Sequence, residues 1–127
     1  MANSVNQFFK ENRETRGNEL YPASDMFKDE KGEPLKWEIR PLTRKQVEKI
    51  RSQAKNESEF GLNIVAASVV DPDLNNSKLQ DSYGVKKAVD LLDELLNAAE
   101  YYALLMKVFE LNDLDKTFAD RVVEAKN

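Results

Sequence analysis

An Asp- and Asn-rich segment in the middle of the chain comes closest to a recognised chemical pattern. Asp71, Asp73 and Asn75 occupy alternate positions, as the first oxygen ligands of a calcium-binding loop do. That loop also needs a glycine at its sixth position and a bidentate glutamate at its twelfth. Asn76 and Ser82 stand at those two positions. The segment therefore predicts a turn that caps a helix, rather than a metal site.

The chain also lacks the residue types and spacings that other catalytic sites use. The chain contains no histidine and no cysteine, which removes the commonest general base, the commonest metal ligand and every thiolate site. The glycines, at positions 17, 32, 61 and 84, are too far apart to form a phosphate-cradling loop. Carboxylates are numerous, but no spacing marks an acid–base pair. We therefore expect no enzymatic activity, no cofactor and no metal.

Two sets of apolar residues are candidates for binding a protein partner. Trp37 is the only tryptophan; we favour a core anchor and keep a partner hot spot as the alternative. Leu114, Phe118 and Val122 form one stripe of a predicted last helix, which either packs on the domain's own helices or fills a groove in a partner. A terminal element detaches at low cost, which keeps the partner interpretation open.

Composition indicates one acidic, soluble domain. The 127 residues suit a single core, with 41% apolar and 33% charged side chains. Residues 1–70 carry 12 basic and 11 acidic side chains, whereas residues 71–127 carry 7 and 12. Phosphate contact needs a basic surface, so we expect no nucleic-acid partner. No apolar run reaches the roughly 18 residues of a membrane span, and the first residues lack a signal-peptide pattern, so we expect no membrane partner.

Two extended runs predict a β-hairpin. They cover residues 20–27 and 35–42, and Trp37 and Ile39 alternate with polar neighbours at the period of a strand. Two strands alone are marginally stable, so a helix must cover them.

Helical spacing dominates the rest of the chain. The predicted features are a capping box at Ser4 and Gln7, an N-cap at Thr43, a mobile charged stretch over residues 55–59, a buried helix over 62–70, a short helix over 76–83 that stops at Gly84, and a new helix start at Asn97. Leu74, Leu79 and Tyr83 are the apolar anchors of an otherwise polar segment.

These patterns predict a mainly α fold with one β-hairpin (α+β), in which a small helical core packs on a two-stranded antiparallel hairpin. We expect a single domain over residues 1–127. It would comprise a helix and polar loop over 1–19, the hairpin over 20–42 and the helical core over 43–127, with a last helix from about residue 112.

Three blocks of sequence add a resemblance to a known family. In the first, Gly-Glu-Pro at residues 32–34 leads into Lys-Trp-Glu-Ile-Arg-Pro-Leu-Thr at 36–43. The second joins V-x-P-x-L-N at residues 70–75 to L-Q-D-S-Y-G-V at 79–85, and a weaker third covers residues 97–101. In this order, the blocks resemble the XkdN-like family of phage tail assembly chaperones.

The resemblance implies a non-catalytic chaperone of a phage or prophage of Gram-positive bacteria. Its expected partners are the tape-measure protein, which it would shield, and the tail-tube protein, which it would help to recruit; weak self-association stays open. We expect it in the cytoplasm of the bacterial host and not in the mature virion. The alternatives are a structural tail or baseplate component and an acidic regulatory binding protein.

The resemblance also implies a longer product of the same gene. Tail assembly chaperones are often made in two lengths through a −1 ribosomal frameshift. Ala125, Lys126 and Asn127 can be encoded as GCA-AAA-AAC, which contains the slippery run A-AAA-AAC. We expect this chain to be the short product; otherwise Lys126 and Asn127 are a polar tail. The codons of the gene decide between the two.

Overall fold

The computed structural model describes residues 2–115. It contains two 3₁₀ turns, three β-strands and five α-helices within that range. In chain order these are 3₁₀ turns at Val5–Phe8 and Lys10–Asn12, β1 Glu19–Tyr21, β2 Trp37–Ile39, α1 Arg44–Gln53, α2 Glu57–Ser68, β3 Val69–Asp71, α3 Ser77–Ser82, α4 Ala88–Leu95 and α5 Ala98–Leu111. The predicted last helix, with Phe118 and Val122, lies mostly outside the described residues.

The strands form one antiparallel sheet in the order β1-β2-β3. The predicted hairpin is present, with Tyr21 opposite Trp37, but the prediction of only two strands is wrong. The third strand pairs with β2 along the edge that β1 leaves open. The backbone groups on that edge of β2 therefore have hydrogen-bond partners. The backbone N–H of Arg40 extends this pairing by donating to the carbonyl oxygen of Ser68 at 2.8 Å.

Helix α2 accounts for two further differences from the predicted elements. The helix predicted over residues 62–70 ends at Ser68, because the last residues of that apolar run enter β3. The stretch over residues 55–59, predicted to be mobile, contains the start of α2. The side chain of Asn56 caps the helix by accepting from the backbone N–H of Glu59 at 2.8 Å. Glu57 and Glu59 lie in the first turn, where the helix dipole favours negative charge.

The predicted N-caps are confirmed. Thr43 and Asn97 each form a capping box with the residue three positions later, as Ser4 does at the first 3₁₀ turn. Gly84 follows α3 with φ of +70°, a conformation that favours glycine, so it ends the short helix as expected. Local side-chain hydrogen bonds therefore set most of the helix starts.

One hydrophobic core joins the sheet to the helices. Helix α2 is central, because it contacts α1, α4, α5 and β3. Its Ile64 and Val65 are fully buried, together with Leu104 and Val108 of α5. None of the described helices has the length and apolar character needed to cross a membrane.

The core position of Trp37 leads to a stability prediction. Trp37 is 3% exposed, so Trp37→Ala should lower the free energy of unfolding by about 3–5 kcal/mol, because it leaves a cavity in the core. Leu20→Ala is the control, since Leu20 is 63% exposed on β1; it should change stability by less than about 0.5 kcal/mol. Urea denaturation measures both. Equal effects of the two substitutions would contradict the core assignment.

Candidate partner-binding site

An apolar pocket of about 190 Å³ opens between the hairpin and the segment that follows β3. We call it the hairpin pocket. One wall comes from the hairpin and the other from the segment after β3, and Leu95 of α4 closes it. The apolar side chains of the two walls are Phe27, Leu35 and Trp37, and Pro72, Leu79 and Tyr83. The two main sequence blocks that resemble the chaperone family therefore meet in this pocket.

The short helix α3 positions the second wall. Its N-cap Asn76 accepts from the backbone N–H of Leu79 at 2.9 Å. The side-chain amide of Gln80 donates to the carbonyl oxygen of Leu74 at 2.8 Å, and Leu74 itself is 2% exposed. These contacts fix α3 against the core. Leu79 and Tyr83 are four residues apart, a spacing that places both on one face, towards the pocket.

The apolar surface continues from the hairpin pocket towards the turn between α4 and α5. A second depression of about 340 Å³ shares Phe27 and Leu95 with the pocket. Met26 borders it and is 77% exposed, and two carboxylates, Glu94 and Glu100, lie along its edge. The two depressions form one groove with an apolar floor and an acidic border.

Carboxylates lie on this border and also on the neighbouring face of α4, where Asp93 lines a separate depression with Tyr101 and Tyr102. Burial raises the pKa of Asp93, and the neighbouring carboxylates of Asp90 and Glu94 raise it further. None of these three carboxylates forms an ion pair with another residue of the described part of the chain. The pKa of Glu100 is lowered, because its carboxylate accepts hydrogen bonds from the backbone N–H of Asn97, from Ser24 and from the backbone N–H of Asp25. The surface around the turn between α4 and α5 is therefore suited to a basic partner.

Two of the four sequence-predicted partner residues, Trp37 and Leu114, lie within the part of the chain that the structure describes. Trp37 forms part of a pocket wall but is 3% exposed, so its packing is that of a core residue. Leu114 is half-buried against the core beyond α5, and its backbone N–H donates to the carbonyl oxygen of Phe109 at 2.8 Å. Phe118 and Val122 lie outside the described residues. Partner binding by these four residues stays a prediction.

Sequence reasoning did not select the residues that complete the pocket. Leu79 and Tyr83 carried a signal, since they are apolar residues four apart in a polar segment. Leu35 alternates in phase with Trp37 and Ile39, which places it on a strand face but does not distinguish a pocket from the core, and Phe27 carried no such signal. Their proximity follows from a short pairing in the hairpin, in which the backbone N–H of Leu35 donates to the carbonyl oxygen of Phe27 at 2.8 Å.

The Asp- and Asn-rich segment forms the predicted turn. The carboxylate of Asp73 accepts from the backbone N–H of Asn75 at 3.0 Å, and Asn76 caps α3. Within residues 2–115, no group of three or more Asp, Glu, His or Cys side chains is arranged to hold a metal ion.

Comparisons with known proteins identify first the kind of fold and then the family. The structure is similar to the crystal structure of the protein yqbn, with a TM-score of 0.79 and 19% sequence identity over 89% of this chain and 98% of that one. The chain is thus a small α+β protein with the yqbn fold. A family model described as phage XkdN-like tail assembly chaperone protein matches residues 5–126. The chain therefore belongs to the XkdN-like family of phage tail assembly chaperones.

A curated relative agrees with the family model. The chain is 25% identical over 121 residues to the phage-like element PBSX protein XkdN of Bacillus subtilis (strain 168), a match that covers 84% of this chain and 82% of the relative. The resemblance that the sequence blocks carried is confirmed at the level of the family.

The hydrogen bonds of Glu100 predict a pH-dependent stability. Glu100→Ala should lower the free energy of unfolding at pH 7 by about 0.5–2 kcal/mol, because it removes half of a capping box. The folded-state pKa is lowered, so this stabilisation is present above the ordinary pKa of 4.5 and is lost as the pH falls through the folded-state value. The difference between the native chain and the variant should therefore shrink in acid.

Urea denaturation at a series of pH values measures this effect. Glu94→Ala is the control, because Glu94 lies on the same border and caps no helix; it should change stability at pH 7 by less than about 0.5 kcal/mol. A difference between native chain and Glu100→Ala that stays constant down to acid pH would contradict the assignment.

Proposed function

We propose that the chain keeps the tape-measure protein of a phage or prophage tail soluble until tail-tube subunits surround it. One observation supports this most directly: the two main sequence blocks that resemble the family both contribute to the lining of one partly open apolar pocket, the first through Lys36 and Trp37 and the second through Pro72, Leu79 and Tyr83. A long helical tape measure would expose apolar stripes before the tube encloses it, and such stripes aggregate. A chaperone must cover them and later release them.

The groove suits a helical segment with an apolar stripe and basic neighbours. One large apolar side chain would enter the hairpin pocket, and the next would lie against Met26, whose flexible thioether adapts to different partners. Basic side chains of the segment would pair with Glu94 on the acidic border. Because the pocket holds only about one side chain, binding would depend on a few contacts and would be readily reversible.

Recruitment of tail-tube subunits is the second part of the proposal, and it rests on the family alone. Both steps would take place in the cytoplasm of the bacterial host, and the chain would leave before the particle is complete. Proteomics of purified virions tests this. A stoichiometric amount of the chain in mature particles would instead identify it as a structural tail or baseplate component.

Binding to a purified tape-measure fragment tests the shielding step. The native chain should bind the fragment and suppress its light scattering. Leu35→Glu should weaken the Kd at least about tenfold, because it places an unpaired charge at the mouth of the hairpin pocket. Glu94→Lys should weaken binding and reduce its dependence on salt.

Leu20→Glu is the matched control for this experiment. Leu20 is a similarly exposed leucine on β1, at 63% against 45% for Leu35, and it does not line the groove. Its variant should bind like the native chain. If the native chain does not bind the fragment at all, the proposed function is wrong. If Leu35→Glu and Leu20→Glu bind equally well, the function stands but the site lies elsewhere.

A further inference from the structure

A second surface opening lies where helices α2, α4 and α5 meet. It is a depression of about 380 Å³, which we call the tyrosine depression. Leu62 and Leu96 supply apolar surface, and Tyr101 and Tyr102 contribute two aromatic rings. Asp93 is the one charged side chain of the lining among the described residues. Neither Asp93 nor the two tyrosines line the groove beside the hairpin, so the tyrosine depression is a separate candidate site.

The two tyrosine rings form an angled aromatic wall. Their centroids are 5.5 Å apart and their planes are inclined at 60° to each other. Tyr101 packs against α2, since a Cβ atom on Gly61 would lie 3.6 Å from the Tyr101 hydroxyl oxygen. Tyr102 is 63% exposed, which leaves its ring open to solvent. The face of an aromatic ring carries a negative electrostatic potential, so this wall attracts cations.

The carboxylate of Asp93 lacks a compensating cation. Within residues 2–115 it accepts no hydrogen bond and forms no ion pair. Burial raises the pKa of Asp93, and the carboxylates of Asp90 and Glu94 raise it further. Its charge is thus both partly desolvated and repelled by its neighbours, and a cation placed beside it would reduce both penalties.

The helices around the depression carry mostly acidic charge. Helix α2 has two acidic residues, α4 has three and α5 has two, against a single basic residue, Lys107. Lys107 is already engaged, since its Nζ lies 2.9 Å from a carboxylate oxygen of Glu19. The N-terminus of α5 is the positive end of the helix dipole, but Glu100 in its first turn offsets that charge. The electrostatic potential at the depression therefore favours a cation.

A guanidinium group fits this combination of side chains better than an ammonium group does. It is planar, so one face can stack on a tyrosine ring while its edge donates a bidentate pair of hydrogen bonds to a carboxylate. An ammonium group is a compact point charge and has no such flat face. Leu62 and Leu96 offer apolar surface to the methylene groups that carry the guanidinium. The lining therefore matches the side chain of arginine.

The surface beside the depression favours an arginine of a protein over a free small cation. Tyr102 and Met106 are four residues apart on α5, and Met106 is 64% exposed. Apolar surface thus continues from the depression along the helix. A free cation would leave Met106 in water, whereas a peptide that carries an arginine can also cover Met106 with a neighbouring apolar side chain.

We propose that the tyrosine depression binds an arginine side chain of a partner protein. The guanidinium donates a bidentate pair of hydrogen bonds to the Asp93 carboxylate and stacks on the ring of Tyr102, while an apolar residue next to the arginine covers Met106. The contact is weak by itself, because it rests on one side chain and a largely exposed carboxylate. It orients the partner, since a bidentate pair is directional. The site goes beyond the proposed function, because it recognises a different chemical group outside the groove.

An NMR titration of the full isotope-labelled chain with the peptide acetyl-Arg-Leu-amide tests the site. The peptide should cause saturable shifts of backbone amides within residues 58–62 and 93–106. Acetyl-citrulline-Leu-amide has nearly the same shape without the charge and should bind at least about tenfold more weakly. Acetyl-Lys-Leu-amide should bind at least about threefold more weakly. Shifts that do not saturate or that lie elsewhere, or equal binding of either comparison peptide, would overturn the proposal.

Three variants assign the binding to individual side chains. Asp93→Asn should weaken the Kd for acetyl-Arg-Leu-amide at least about tenfold, because it removes the charge. Tyr102→Leu should weaken it about two- to fivefold, because it keeps apolar surface but loses the aromatic face. Asp81→Asn is the matched control, since Asp81 is an exposed aspartate of α3 that lines neither the tyrosine depression nor the groove. It should bind like the native chain.

Equal affinities of Asp93→Asn and Asp81→Asn would contradict the assigned site. All three substituted side chains are exposed, so the variants should keep the native fold, which their NMR spectra report. The titration contains no tape-measure fragment. A failure here would therefore leave the proposed function standing, and a failure of the tape-measure experiment would leave the arginine site standing.

Discussion

The burial of helix α2 is the constraint on which the rest of the structure depends. Its middle residues, Ile64 and Val65, are inaccessible to solvent and are enclosed by the sheet and by helices α4 and α5. Gly61 shows how close this packing is, since a Cβ atom there would lie 3.2 Å from Leu105 of α5. Because α2 passes directly into β3 at Ser68, the position of the helix also decides where the third strand meets the hairpin.

The candidate site follows from this arrangement. Once β3 is paired with β2, the chain leaves the sheet beside Trp37, and the capped helix α3 returns across the hairpin. Leu79 and Tyr83 then face Phe27 and Leu35 across a pocket that neither block could form alone. The two blocks that resemble the chaperone family thus both contribute to the lining of this pocket, and Phe27 and Leu35, which lie outside the blocks, complete it. A groove that combines this pocket with an acidic border is compatible with reversible covering of apolar segments, because only a few contacts would hold the partner.

The sequence was informative wherever a structure rests on neighbouring residues. The capping boxes at Thr43 and Asn97 could be predicted from the sequence, because each side chain and the backbone group that it binds are three residues apart. The alternation around Trp37 and Ile39 identified β2 and its buried face for the same local reason. The secondary structure of residues 62–70 could not be predicted in this way, because a continuous apolar run is compatible with a buried helix and with a buried strand. The structure divides it between α2 and β3.

The family, the α+β class and most helix starts could therefore be predicted from the sequence alone, because motifs and caps involve only a few neighbouring residues. The third strand and the hairpin pocket were decided by the tertiary structure. Each of these requires groups distant in sequence to satisfy one another: β3 gives partners to the free edge of β2, and Phe27 meets Tyr83 only after the sheet has formed. Short-range patterns determine which elements form, whereas the burial of α2 determines which surfaces they bring together, because a core must fill its volume with residues from the whole chain.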